Sequence, residues 1–246
     1  MPVIPVLTML PLSVTIIGAA FAIVILNHYF ATRRRPHEIM WAVAFVLLAI
    51  GAVCQVYADV SGSWSILTAR LYYLTGAILN VGFLGLGTLY LMFSRKVATV
   101  GLVLMLLLSV ASIYVLFTGP VNSALLTHDD GYRAVAFTGS RILAAVTNSL
   151  GTLLVVGGAL WSAYVFWRKR ILKDRMIGVL LLAAGTFIVA LGGTITGATG
   201  LTNHDYLYLS MAVGVVVMFA GYLQTIRPTV PVPSTSAVAT RVPPIS

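Results

Sequence analysis

Ala98-Thr-Val-Gly-Leu-Val-Leu-Met-Leu-Leu-Leu-Ser-Val-Ala-Ser-Ile-Tyr-Val-Leu-Phe-Thr118 contains no charged residue. At 1.5 Å per residue a helix of this length spans about 30 Å, the thickness of a bilayer's hydrocarbon core. Six further apolar runs flank it, at roughly 8–30, 38–58, 65–93, 137–167, 176–197 and 206–226. The chain as a whole is 59% hydrophobic and 9% charged with a mean hydropathy of +1.00, far from the composition of a water-soluble domain. The runs therefore predict an all-α integral membrane bundle of seven transmembrane helices. The runs at 65–93 and 137–167 exceed the membrane thickness and must tilt or project.

The cations set the expected orientation. Arg33, Arg34 and Arg35 follow the first run, and Arg95 and Lys96 follow the third. Arg168, Lys169, Arg170, Lys173 and Arg175 follow the fifth, and Arg227 and Arg241 follow the seventh. These are twelve of the fifteen Lys and Arg, against Arg70, Arg133 and Arg141 on the other side. The positive-inside rule makes the rich side cytoplasmic. The N-terminus is then outside and the C-terminus cytoplasmic. Residues 1–227 form the membrane domain, and the Pro-, Ser-, Thr- and Val-rich stretch 228–246 reads as a disordered cytoplasmic tail. The opening Met1-Pro-Val-Ile-Pro-Val lacks the basic n-region of a signal peptide, so the first helix is expected to be retained.

The net charge of +9 does not suggest nucleic acid, because the cations lie in short clusters between apolar runs. Cys54 is the single cysteine, which excludes an internal disulfide and a thiolate metal site. A retinal Schiff base requires a lysine at membrane depth, whereas Lys96, Lys169 and Lys173 all sit at the cytoplasmic boundary. His28 and His37 at the inner edge, with His128 and His204 outside, make a weak haem pair, and no metal or cofactor is expected. No HExxH, nucleophile elbow or phosphate loop appears, and the acids cluster at the span ends. Enzymatic activity and proton pumping are not expected.

Polar residues at membrane depth are costly, so their spacing is informative. Arg70, Tyr73, Ala77, Asn80, Leu84 and Gly87 fall on one face of the third helix. Arg141, Asn148, Thr152 and Ser162 share a face of the fifth. Gln55 and Asp59 are one turn apart on the second. Asp205, Tyr206 and Tyr208 open the seventh. Asp59, Arg70, Arg141 and Asp205 balance in charge near the outer surface. One reading is an outward vestibule among these helices, with Arg70 as anchor, Gln55, Asn80 and Asn148 deeper in, and tyrosines 57, 72, 73, 206 and 208 as walls. The other is packing: end-of-helix ion pairs, an aromatic belt, and interhelical hydrogen bonds. The glycines of the third, fifth and sixth helices, including Gly193-Thr-Ile-Thr-Gly197, fit internal packing, a dimer seam or a hinge.

Met40-Trp-Ala-Val-Ala-Phe-Val-Leu-Leu-Ala-Ile-Gly51, Asp59 and Thr68-Ala-Arg-Leu-Tyr-Tyr-Leu-Thr-Gly76 together resemble the seven-helix N-terminal sensor region of some bacterial histidine kinases. The residues that carry the resemblance are Trp41, Ala69, Arg70, Tyr73, Leu74 and Gly76, within about 40 of 246 residues. It implies a sensor-like domain of the bacterial inner membrane. Those receptors continue into a kinase domain and this sequence does not, so a separate signalling partner is implied. The expectation is a non-enzymatic receptor that binds a small extracellular or membrane-dissolved ligand. A small-solute transporter or channel and a structural subunit of a larger complex are the alternatives, and a homodimer is compatible with each.

Overall fold

The computed structural model describes residues 8–32, 34–127, 131–169, 173–199 and 205–226, and the tail at 228–246 lies outside them. The described residues are helical and contain no strand. Seven long helices follow one another: α1 (Met9–Ala31), α2 (Pro36–Ser61), α3 (Ile66–Met92), α4 (Arg95–Thr118), α5 (Thr138–Lys169), α6 (Lys173–Thr199) and α7 (Asp205–Ile226). Six of them are long and apolar enough to cross a membrane. In α6 the qualifying apolar stretch is shorter, Ile177–Gly193. Every helix boundary falls within about three residues of the apolar run that predicts it, because hydropathy and helix length answer to the same constraint in lipid.

Local chemistry marks the helix ends. Pro36 opens α2, where a missing N–H costs nothing. Gly62 closes it in the left-handed conformation at φ 70°, which a side chain would resist. At the start of α3, Ser65 and Thr68 exchange side-chain and backbone hydrogen bonds as a capping box.

The helices close into a ring in the order α1, α2, α3, α5, α6, α7, with α7 returning to α1. α4 lies outside the ring against α3 and α5, and exposes Val100, Leu104, Leu107 and Val110. Such a surface is expected where lipid is the solvent. Ser123–Thr127 and Gly131–Val135 form short 3-10 turns between α4 and α5. They close over the start of α3, where Trp64 N–H donates to the Leu126 carbonyl at 2.8 Å.

Small residues set the closest approaches. A Cβ on Gly85 would lie 2.6 Å from the Gly151 Cα, so α3 and α5 meet backbone to backbone. Gly178 and Gly185 on α6 face Gly221 and Gly214 on α7 in the same way. Gly193 has open space around it, and the side-chain surroundings of residue 197 lie outside the described set. The tight contact on α6 thus follows the seven-residue spacing of Gly178, Gly185 and Gly192, the last against Ser210, and not the Gly193–Gly197 pattern singled out by sequence.

Within α3 the segment Tyr73–Leu79 is a π-helix. The Asn80 N–H reaches back to the Thr75 carbonyl, one residue further than in an α-helix. Inside this segment the Ala77 carbonyl accepts a hydrogen bond from Asn148 Nδ2 on α5 at 2.7 Å.

Candidate functional site

The nine residues expected to line an outer vestibule divide into separate groups. Gln55, Asp59 and Tyr208 meet. Gln55 Nε2 donates to Asp59 Oδ1 at 2.7 Å, and the Tyr208 hydroxyl donates to Gln55 Oε1 at 3.0 Å. The Tyr72 hydroxyl lies 3.2 Å from that of Tyr208. The Tyr208 hydroxyl thus has two acceptors within reach, Gln55 Oε1 and the Tyr72 hydroxyl oxygen. Trp64 and Tyr132 pack on Tyr72 with ring centroids 5.3 and 4.9 Å away. Gln55, Tyr72 and Tyr208 are buried, and their polar atoms satisfy one another.

The other members lie elsewhere. Tyr73 is buried on α3. Arg70 turns toward α4, its guanidinium carbon 5.3 Å from the centre of the Phe117 ring. Its Nε is buried without a hydrogen-bond partner. Arg141 is exposed. Asn80 is buried at the end of the π-helix, and Asn148 serves the Ala77 carbonyl. The side chain of Asp205, like His128 and His204, lies outside the described residues. Of the proposed walls, Tyr57 and Tyr206 face outward at 55% and 61% exposure, as an aromatic belt would.

A second polar group stands at the opposite end of the bundle, about 30 Å along α2 from Asp59. A cavity of about 530 Å³ opens there, at the end that carries Arg35. All six ring helices line it: His28 from α1, Glu38 and Trp41 from α2, Leu91 and Met92 from α3, Trp161 and Ser162 from α5, Val179 and Leu182 from α6, and Tyr222 and Thr225 from α7. A narrow apolar crevice of about 30 Å³ shares Trp41, Leu91, Met92, Ser162, Val179 and Leu182 with it and continues inward to Phe45, Leu84, Val155 and Met218. Leu91 and Trp161 are 45% and 61% exposed, so the cavity wall reaches the outer surface of the bundle.

Glu38 is the centre of this group. It is 1% exposed, and its Oε1 lies 2.9 Å from His28 Nδ1. Its Oε2 is buried with no partner. The Tyr222 hydroxyl, on a residue 1% exposed, is also without a partner. The Tyr222 ring is held between Phe21, His28 and Trp41, with centroids at 5.5, 6.2 and 6.4 Å. Trp41 is itself fixed by a hydrogen bond from Nε1 to the Leu84 carbonyl at 3.2 Å. Packing and pairing set the positions of both oxygens, which lie buried behind the cavity wall. The sequence reading did not single out Glu38 or Tyr222. Its available signal was an acid in the first turn after Pro36, beside three arginines and ten residues after His28.

Among the described residues no three His, Cys, Asp or Glu side chains gather as a metal site. Comparison with protein-family models, with curated proteins and with solved structures gives no match.

Proposed function

We propose that this chain is a non-enzymatic, receptor-like membrane protein of seven spans that binds a small membrane-dissolved ligand in the cavity at its basic end. The observation that carries this reading is the cavity itself, lined by residues of all six ring helices and bounded by a wall that reaches the surface at Leu91 and Trp161. Ligand sites of this volume are typically apolar with a few convergent polar groups. The basic connections around this end make it cytoplasmic by the positive-inside rule, with the N-terminus outside and the C-terminus inside. The bilayer, of the bacterial inner membrane in keeping with the sensor-like stretch in α2 and α3, is the first partner. A signalling protein reading the basic face is the second, and a second copy of the chain is compatible with the exposed apolar faces.

A carrier or channel is the competing reading. Between Gln55 and Glu38 the buried side chains of α2 are Trp41, Ala42, Ala44, Phe45, Leu48, Ala52 and Cys54, so α2 itself contributes no polar side chain to such a path. Solute uptake into liposomes bearing the purified protein would favour the carrier. For the receptor reading, a photoreactive long-chain alkyl diazirine is added to phosphatidylcholine nanodiscs containing the protein. Saturable labelling near Leu91, Met92, Trp161 and Ser162 is expected. Labelling that never saturates and spreads evenly over the apolar side chains of α4 would rule out a cavity ligand.

A further inference from the structure

The residues that line the cavity differ in what they have left to offer a ligand. Glu38 is the only acid among them, and its carboxyl is engaged: Oε1 is held by His28 at 2.9 Å, and Oε2 is buried behind the wall. Two lining hydroxyls have committed their protons, Thr32 to the His28 carbonyl and Thr225 to the Tyr222 carbonyl, each at 2.7 Å. Arg35 lines the cavity, is exposed, and makes no ion pair among the described residues. Its side chain caps no N–H at the start of α2. A guanidinium carries five N–H donors and can give two at once to a carboxylate or a phosphate. The surroundings have the same sign. Residues 33–35, 95–96 and 168–175, on the connections at this end, hold ten Lys and Arg against one acid, Asp174. Such a field draws anions in and opposes an ammonium. The oxygens of Thr32 and Thr225 could accept from an ammonium, but neutral oxygens do not offset its repulsion by Arg35.

We infer that the cavity takes an amphiphile with an anionic head, a carboxylate or a phosphate, which pairs with Arg35 while its tail lies along Leu91, Met92 and Trp161. The inference rests on the cavity being the ligand site. The tail has an apolar course, since Val179 and Leu182 line both the cavity and the crevice that runs inward to Phe45 and Met218. Burial of the tail supplies affinity, and Arg35 chooses the head. Two sources offer this chemistry: a free long-chain acid, or an anionic phospholipid of the leaflet at the basic end, where pockets between helices meet lipid head groups.

The test uses the full chain in phosphatidylcholine nanodiscs, with the alkyl diazirine as a reporter that carries no charged head. Labelled residues are mapped by mass spectrometry. Oleate, oleyl alcohol and oleyltrimethylammonium, which share one tail, compete at a mildly alkaline pH that keeps oleate ionised. Dioleoylphosphatidylglycerol, set against the phosphatidylcholine of the same chains, forms a second arm. Oleate or the phosphatidylglycerol is expected to compete about tenfold better than its neutral, cationic or zwitterionic counterpart, the difference of one charge-assisted hydrogen bond. Success of both, or of the phosphatidylglycerol alone, makes the leaflet lipid a source. Success of oleate alone makes the free acid the source. Arg35→Gln should abolish the preference, while Arg95→Gln, an exposed cation at the same end that does not line the cavity, should keep it. An equal fall in both variants overturns the inference in favour of general surface charge, and a preference that survives Arg35→Gln overturns it as well. Equal competition by every head, or preference for the ammonium, overturns the head selection and leaves the cavity reading in place. Absence of any saturable label in the cavity overturns both.

Discussion

The two ends of α2 carry polar groups of similar size in opposite states. At Gln55 and Asp59 the buried donors and acceptors find one another across α2, α3 and α7, and aromatic rings seal them. At Glu38 half of a carboxyl is paired and half is not, and the Tyr222 phenol on α7 is a second buried group without a partner at that end. A network whose members satisfy each other adds stability and specifies packing. One that leaves buried atoms open costs stability, and the fold keeps it here beside a cavity. The difference separates what holds the bundle together from what the bundle is able to bind.

Replacing Gln55 by leucine attacks the closed end. The amide connects Asp59 on its own helix to Tyr208 on α7. Leucine has a similar volume but removes both bonds, and the Tyr208 hydroxyl loses its acceptor in a buried site. A loss of about 1–3 kcal/mol is expected, within the range for a buried group deprived of its partner. Thermal or denaturant unfolding in mild detergent measures it. Saturable diazirine labelling of the cavity at the other end should be retained in the molecules that remain folded. If unfolding were unchanged and the labelling lost, the two ends would have exchanged roles.

Much of this was legible in the sequence. The seven apolar runs coincide with the seven long helices, and six of these are apolar for the length that a helix in lipid demands. The pairing of Gln55 with Asp59 was also readable, since both lie on one helix a turn apart. What could not be read is whatever depends on the ring order. Tyr208 and Tyr222 come from the last helix and meet α2 only because α7 closes back on α1. The π-helix left no mark in the hydropathy, although it redirects Asn148 from an expected ligand contact to the Ala77 carbonyl. Four charges near one surface suggested convergence, but Arg70 finds an aromatic face on α4 and Arg141 stays exposed. Near the water boundary a charge has more than one way to be accommodated, and spacing on one helix does not choose between them.

Asn148→Ala sharpens the comparison at a smaller scale. If Asn148 serves the backbone of the π-helix, its removal strands the Ala77 carbonyl and costs about 1 kcal/mol, in the upper part of the range measured for interhelical hydrogen bonds in membranes. The midpoint of unfolding should fall while the profile of diazirine labelling in the cavity stays as in the parent protein. A changed profile with unchanged stability would return Asn148 to the ligand site.

Tyr222→Phe should have the smallest effect on folding and tests the open end most directly. The substitution keeps the ring against Phe21, His28 and Trp41 and removes one oxygen that has no protein partner. Deleting a paired buried hydroxyl costs about 0.5–1.5 kcal/mol, whereas deleting an unpaired one removes a desolvation penalty. Unfolding of this variant is therefore expected within about 0.5 kcal/mol of the parent, on either side. Preserved stability would identify the hydroxyl as one the fold does not need. A destabilisation as large as that of Gln55→Leu would mean that Tyr222 is as fully engaged as Tyr208, and the contrast between the two ends would disappear.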